Sequence, residues 1–141
     1  MSTTPVLKYS FDSWTGGTTI LNEGSLGPAG NGTLCTVGIG SSNIINTDCA
    51  TGTQCLSLNT NMNGTFTNSN GGYMSIPTFT FGGTSYTICC WYKKNATTTA
   101  EGWARLWDMG TSGNVNNFVC GFKGNYPNST LFMSKVDTLG S

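Results

Sequence analysis

Apolar and polar residues alternate along much of this chain, and the period is two. From Pro5 to Asp12, Leu7, Tyr9 and Phe11 fall on one side of an extended backbone, with Lys8, Ser10 and Asp12 on the other, because successive strand side chains point to opposite faces. Cys55–Leu58 sets Leu56 and Leu58 together, and Tyr73–Ile76 forms another such run, closed by Pro77. Ser85–Lys93 is the longest, with Tyr86, Ile88, Cys90 and Tyr92 opposite Thr87, Cys89 and Trp91. Ala104–Met109, Asn117–Phe122, Thr130–Ser134 and the weaker Thr33–Val37 complete the predicted strands. No window keeps apolar residues at i, i+3, i+4 and i+7, so helix is expected only as short turns. Pairs that tolerate positive φ separate the runs: Gly16-Gly17, Gly27-Pro28, Asn31-Gly32, Asn63-Gly64, Gly71-Gly72, Gly82-Gly83 and Ser112-Gly113. Gly38–Thr53 reads as the long loop. Short strands at this spacing predict an all-β chain folded as one antiparallel β-sandwich domain over residues 1–141.

Charge narrows the functional classes. Six basic residues balance six acidic ones among 141, and no histidine is present. Between Glu23 and Lys93 the only charged residue is Asp48, so hydroxyls and amides must keep that stretch soluble. Nothing in the sequence resembles a basic patch able to neutralise phosphates, which argues against a nucleic-acid partner. No run approaches the roughly 18 apolar residues of a membrane-spanning helix. The opening Met1-Ser2-Thr3-Thr4-Pro5 lacks the basic and apolar regions of a secretion signal. Six cysteines nevertheless suit an oxidising compartment. An extracellular, virion-surface or cell-surface setting reconciles the two.

Four segments in order carry a family resemblance. Leu7-Lys8-Tyr9-Ser10-Phe11-Asp12 is similar to the opening strand of laminin-G-like domains, and Cys55-Leu56-Ser57-Leu58 followed by Gly72-Tyr73-Met74-Ser75-Ile76-Pro77 resembles their next strand pair. Tyr86-Thr87-Ile88-Cys89-Cys90-Trp91-Tyr92-Lys93 is similar to the family's "F-T-I-S-x-W-x-K" strand, and Arg105-Leu106-Trp107-Asp108-Met109-Gly110 to the "x-I-F-D-x-G" after it. The resemblance implies the jelly-roll sandwich of the concanavalin A-like lectins and glucanases. It also implies recognition of a glycan or protein through loops, and closing strands beyond Ser141. An unfinished sheet leaves an edge, and Thr130–Ser134, with Leu131, Phe132 and Met133, is the edge expected to pair with a second copy or another chain.

Calcium is the ion that the resemblance implies. Asp48, with Asn43 and Asn46 nearby, is the candidate ligand set, against an ordinary Asx turn at the same place. Without histidine there is no Ser-His-Asp or Cys-His machinery. Retaining glycosidases aim two carboxylates at one sugar from alternate positions of a strand. Asp12, Glu23, Asp48, Glu101, Asp108 and Asp137 are too scattered for that, so a non-enzymatic role is expected. Trp14 and Trp103, in or beside Gly- and Thr-rich loops, are candidates for a sugar platform, whereas Trp91 and Trp107 belong to predicted strands and hence to the core. Four glycosylation sequons, at Asn31, Asn63, Asn95 and Asn128, carry little weight in a chain so rich in Asn, Ser and Thr.

Cysteine pairing follows from the predicted strands. If Ser85–Lys93, Ala104–Met109 and Asn117–Phe122 form a meander, the outer two lie about 9.6 Å apart. Disulfides need Cα atoms within roughly 7 Å, so Cys89 and Cys90 cannot reach Cys120. Neighbouring strand residues point apart, so Cys89 and Cys90 are not expected to bond each other, and all three are expected as packed thiols. Cys35, Cys49 and Cys55 are the disulfide candidates, Cys49–Cys55 being the short closure. Three functions compete: a recognition or adhesion module, a structural subunit of a virus particle or surface fibre, and a glycosidase-type fragment.

Overall fold

The computed structural model describes residues 4–37, 41–59, 71–79, 86–93, 103–110, 117–123 and 130–136. It is all-β: among the described residues, eight strands lie in three antiparallel sheets and the only helical element is one 3-10 turn, Gly27–Gly30. The chain forms two compact units, dividing between Tyr92 and Lys93.

The first unit holds β1 (Thr19–Ile20), β2 (Gly32–Val37), β3 (Ser41–Ile45), β4 (Cys55–Asn59) and β5 (Gly71–Ser75). One sheet runs β1-β2-β5 and a second pairs β3 with β4. Register explains the core. Leu34 lies opposite Met74 and Ile44 opposite Leu56, and residues directly opposite share a face. Those faces meet Ile20 of β1, which is 1% exposed, in a cluster that Tyr9, Phe11 and Trp14 cover from the side. Burying one such aliphatic side chain contributes about 1.5–3 kcal/mol. Gly32 lets β1 and β5 close on β2: a Cβ there would stand 3.0 Å from the Met74 sulfur.

The second unit is a meander of β6 (Trp103–Met109), β7 (Asn117–Lys123) and β8 (Thr130–Val136). The β6 register slips between Arg105 and Trp107, leaving Leu106 as the extra residue of a bulge. Arg105 and Asp108 form an ion pair across it. On the middle strand, Val119, Cys120 and Gly121 are buried, Cys120 to 2% exposure.

Several expectations need correction. In Pro5–Asp12, Leu7, Tyr9 and Phe11 are half-buried and Lys8 and Asp12 exposed, with Ser10 half-buried on the polar side, but the segment is not a strand. Phe11 has a φ of 68°, which ends any extended run, and a side chain replaces part of the ladder: the Lys8 N–H donates to Asn22 Oδ1 (2.8 Å). Gly38–Thr53 is not one loop, since it contains β3. The β-branched pair Ile44-Ile45 is the signal there, and it was masked by the polar Ser41-Ser42-Asn43 before it. Asn31-Gly32 and Gly71-Gly72 do not turn; the glycines lie in β2 and β5. Leu56 and Leu58 also part company, the first packed on the core and the second exposed. The largest miss is Ser85–Lys93. Its described part, 86–93, forms no strand, and the meander takes β8 as its third member instead. Asn63-Gly64, Gly82-Gly83 and Ser112-Gly113 lie outside the described residues.

Candidate functional site

Two short segments reach across the first unit to fix its loops. Asn22 is buried and makes every hydrogen bond its amide can make. Its Oδ1 accepts from the N–H groups of Lys8 (2.8 Å) and Gly24 (3.0 Å), and its Nδ2 donates to the carbonyls of Gly27 (3.0 Å) and Val6 (3.4 Å). Nearby, Glu23 accepts from Lys8 Nζ at 2.8 Å and from the Ser10 hydroxyl. Lys8 and then Ser10 hold the Glu23 carboxyl below its ordinary pKa.

Asp12 performs the second tie. One carboxylate oxygen accepts from the Thr53 N–H (2.7 Å), the Gln54 N–H (2.8 Å) and the Thr53 hydroxyl (3.0 Å). These donors hold its pKa down, the Thr53 N–H first. The loop that presents them is closed by the Cys49–Cys55 disulfide, whose Cα atoms lie 5.5 Å apart. Gly52, at φ 70°, passes so close that a Cβ would collide with the Asp12 carboxylate.

The expected site residues scatter over these elements. Trp14 is half-buried on the core edge and donates its indole N–H to the Gly17 carbonyl (3.1 Å), which leaves it a cover more than a platform. Trp103 opens β6, opposite Lys123, and belongs to the other unit. Asn43 lies in β3 opposite Ser57, its Oδ1 accepting from the Ile44 N–H (2.9 Å). Asn46 and Asp48 follow in an exposed bend, where Asp48 has a left-handed φ of 64°, the conformation an Asx turn favours. Asp48 is the one carboxylate of that set, so the three side chains alone fall short of the about six to eight oxygens that calcium takes. Among the described residues, no three Asp, Glu, Cys or His side chains gather as a metal site would need.

Cys35 stays a thiol. It faces Tyr73 across the β2–β5 pair, and its hydrogen bond raises the Tyr73 pKa. Cys120 is a packed thiol as expected, and burial raises its pKa. Cys89 and Cys90 are not packed; both are exposed.

Among the described residues, the most exposed large apolar side chain is Trp91, which the sequence pattern assigns to the core. In the same segment Tyr86, five residues earlier, and the adjacent Tyr92 are also exposed. Strand spacing had both faces of this segment apolar, a pattern that fits a doubly covered strand and an uncovered segment equally well. Lys93-Lys94-Asn95 just after it was the available hint that the run ends in water. An exposed indole offers a flat face for stacking and one N–H at its rim for hydrogen bonding. No known protein family, no curated protein and no solved structure matches this chain.

Proposed function

We propose that this chain is a non-enzymatic recognition or adhesion module, folded as a laminin-G-like, concanavalin A-like sandwich, that binds a glycan or protein partner through its exposed aromatic segment. The observation that carries this reading is Trp91, 79% exposed, in a segment where Tyr86 and Tyr92 are exposed as well. Trp and Tyr dominate binding hot spots, so an exposed Trp is a natural anchor for a ligand. The scarcity of charge favours a neutral, hydroxyl-rich ligand such as a sugar face. The Cys49–Cys55 disulfide supports an extracellular, virion-surface or cell-surface setting. A glycan array probed with the wild-type chain and with Trp91→Ala tests the reading. Losing a hot-spot ring costs about 2 kcal/mol, roughly a thirtyfold fall in affinity. Glycan binding that Trp91→Ala leaves unchanged would remove Trp91 from the role.

A second reading, a structural subunit of a larger assembly, has one observation in its favour. β8 is the outer strand of its sheet, and Leu131 and Met133 are exposed on it, Met133 to 63%. Outer strands with apolar side chains and little charge invite pairing with another chain.

A further inference from the structure

Cys89 and Cys90 are adjacent in sequence, both exposed, and both thiols. In a β-ladder their side chains would point to opposite faces, and a bond between them would require breaking the ladder. Residues 86–93 form no strand, so that obstacle is absent. The other two thiols sit in different surroundings: Cys120 is buried, and Cys35 is half-buried within the β2–β5 pair.

We propose that Cys89 and Cys90 form a redox-active vicinal dithiol, which a small-molecule disulfide such as glutathione disulfide converts to a ring disulfide. One of the two thiolates attacks a sulfur of glutathione disulfide. The S–S bond of the oxidant breaks, a mixed disulfide forms, and one glutathione thiolate leaves and takes up a proton. The neighbouring thiolate then attacks the protein sulfur of the mixed disulfide and expels the second glutathione. Two electrons pass from the cysteine pair to the oxidant: one intrachain disulfide is made and two glutathione thiols are released.

Adjacency makes the second step intramolecular, so it outruns attack by a further glutathione. It also limits the product. Neighbouring Cα atoms are about 3.8 Å apart, shorter than the roughly 4.4–6.8 Å that disulfides usually span. A bond so constrained is easily reduced, which places this pair with labile, reversible disulfides and sets it apart from Cys49–Cys55. Between Asp48 and Glu101 the only charged residues are Lys93 and Lys94, a charge pattern that attracts the anionic glutathione disulfide and does not repel it.

The test equilibrates the full chain in glutathione buffers made stepwise more oxidising, then quenches, alkylates and maps it by mass spectrometry. Wild type is expected to lose two alkylation sites together, both on the peptide with Cys89 and Cys90, with two hydrogens lost and no glutathione retained. Dithiothreitol should restore both sites. Cys89→Ser and Cys90→Ser should each stop with one glutathione attached. Trp91 fluorescence should change in step with ring closure. The proposal fails if wild type stays fully alkylated at both positions, if it retains glutathione there, or if either cysteine maps to Cys35 or Cys120. The alkylation map reads sulfur alone, so its outcome is independent of whether Trp91 binds a ligand.

Discussion

Asn22 shows how much one side chain can hold when every atom of it is used. Its carboxamide joins the stretch around Val6 and Lys8 to the turn before β2 through four hydrogen bonds, and Gly30 approaches so closely that a Cβ would stand 2.6 Å from Nδ2. Removing the amide leaves the Lys8 and Gly24 N–H groups and the Gly27 carbonyl to find new partners, each at about 1–3 kcal/mol if it stays dry, while the Val6 carbonyl keeps the Leu26 N–H at 3.1 Å. Asn22→Ala is therefore expected to lower stability by at least about 2 kcal/mol in urea unfolding; a loss below about 0.5 kcal/mol would mean that water replaces the amide readily. Asp12 and Glu23 set an acid limit. Both carboxyls are held below their ordinary values in the folded chain, so their stabilisation is complete above the unfolded range near pH 4 and is lost as pH falls through their lower folded values. The midpoint of urea unfolding should drop on acidification below about pH 4, and Asp12→Asn with Glu23→Gln should flatten that drop. Little of this was legible in the sequence. An Asn in a polar stretch has no periodic signature, and the Asp12 contact joins residues 41 positions apart.

Among the elements, the strands that sequence reading found are those whose alternation survives folding, such as β2, where Leu34 turns inward between Thr33 and Cys35. It missed β3, which begins with three small polar residues, and overvalued Ser85–Lys93, whose aromatic and β-branched content imitates a strand although residues 86–93 form none. Strand propensity reflects packing more than backbone preference, and packing is what a single sequence hides. The β3–β4 pair has a further tie in the disulfide between Cys49 and Cys55. Closing so short a loop stabilises by roughly 2 kcal/mol in the chain-entropy account. The same closure shapes the 52–54 turn that Asp12 grips. Cys49→Ser with Cys55→Ser should then cost roughly that amount, and its effect should not add to that of Asp12→Asn. A double-mutant cycle measures this; strict additivity would show that the turn keeps its shape unaided.

For the whole molecule, one expected domain is represented by two compact units, Met1–Tyr92 and Lys93–Ser141. The sequence points to Trp14 and Trp103 as platform candidates and to Trp91 as core, yet Trp91 is 79% exposed, because no rule of spacing tells a covered ring from an open one. The expected edge at residues 130–134 does lie on the outer strand of its sheet, as β8. Met133→Lys should oppose association along that strand, and light scattering of the 141-residue chain across concentration is the check. A wild type that stays monomeric throughout would end the subunit reading. The grip of Asp12 on Thr53 and Gln54 also carries a consequence in time. A contact spanning so much chain costs loop entropy that only prior assembly of β2 with the β3–β4 hairpin can offset, so it should form late, after the rate-limiting barrier. Asp12→Asn is accordingly expected to speed unfolding while leaving the refolding rate almost unchanged, and stopped-flow chevrons that move on the refolding limb instead would place this turn at the start of folding. On that timing Asp12 acts as a latch: it sets how long the first unit stays shut once folded, and has little influence on how fast it gets there.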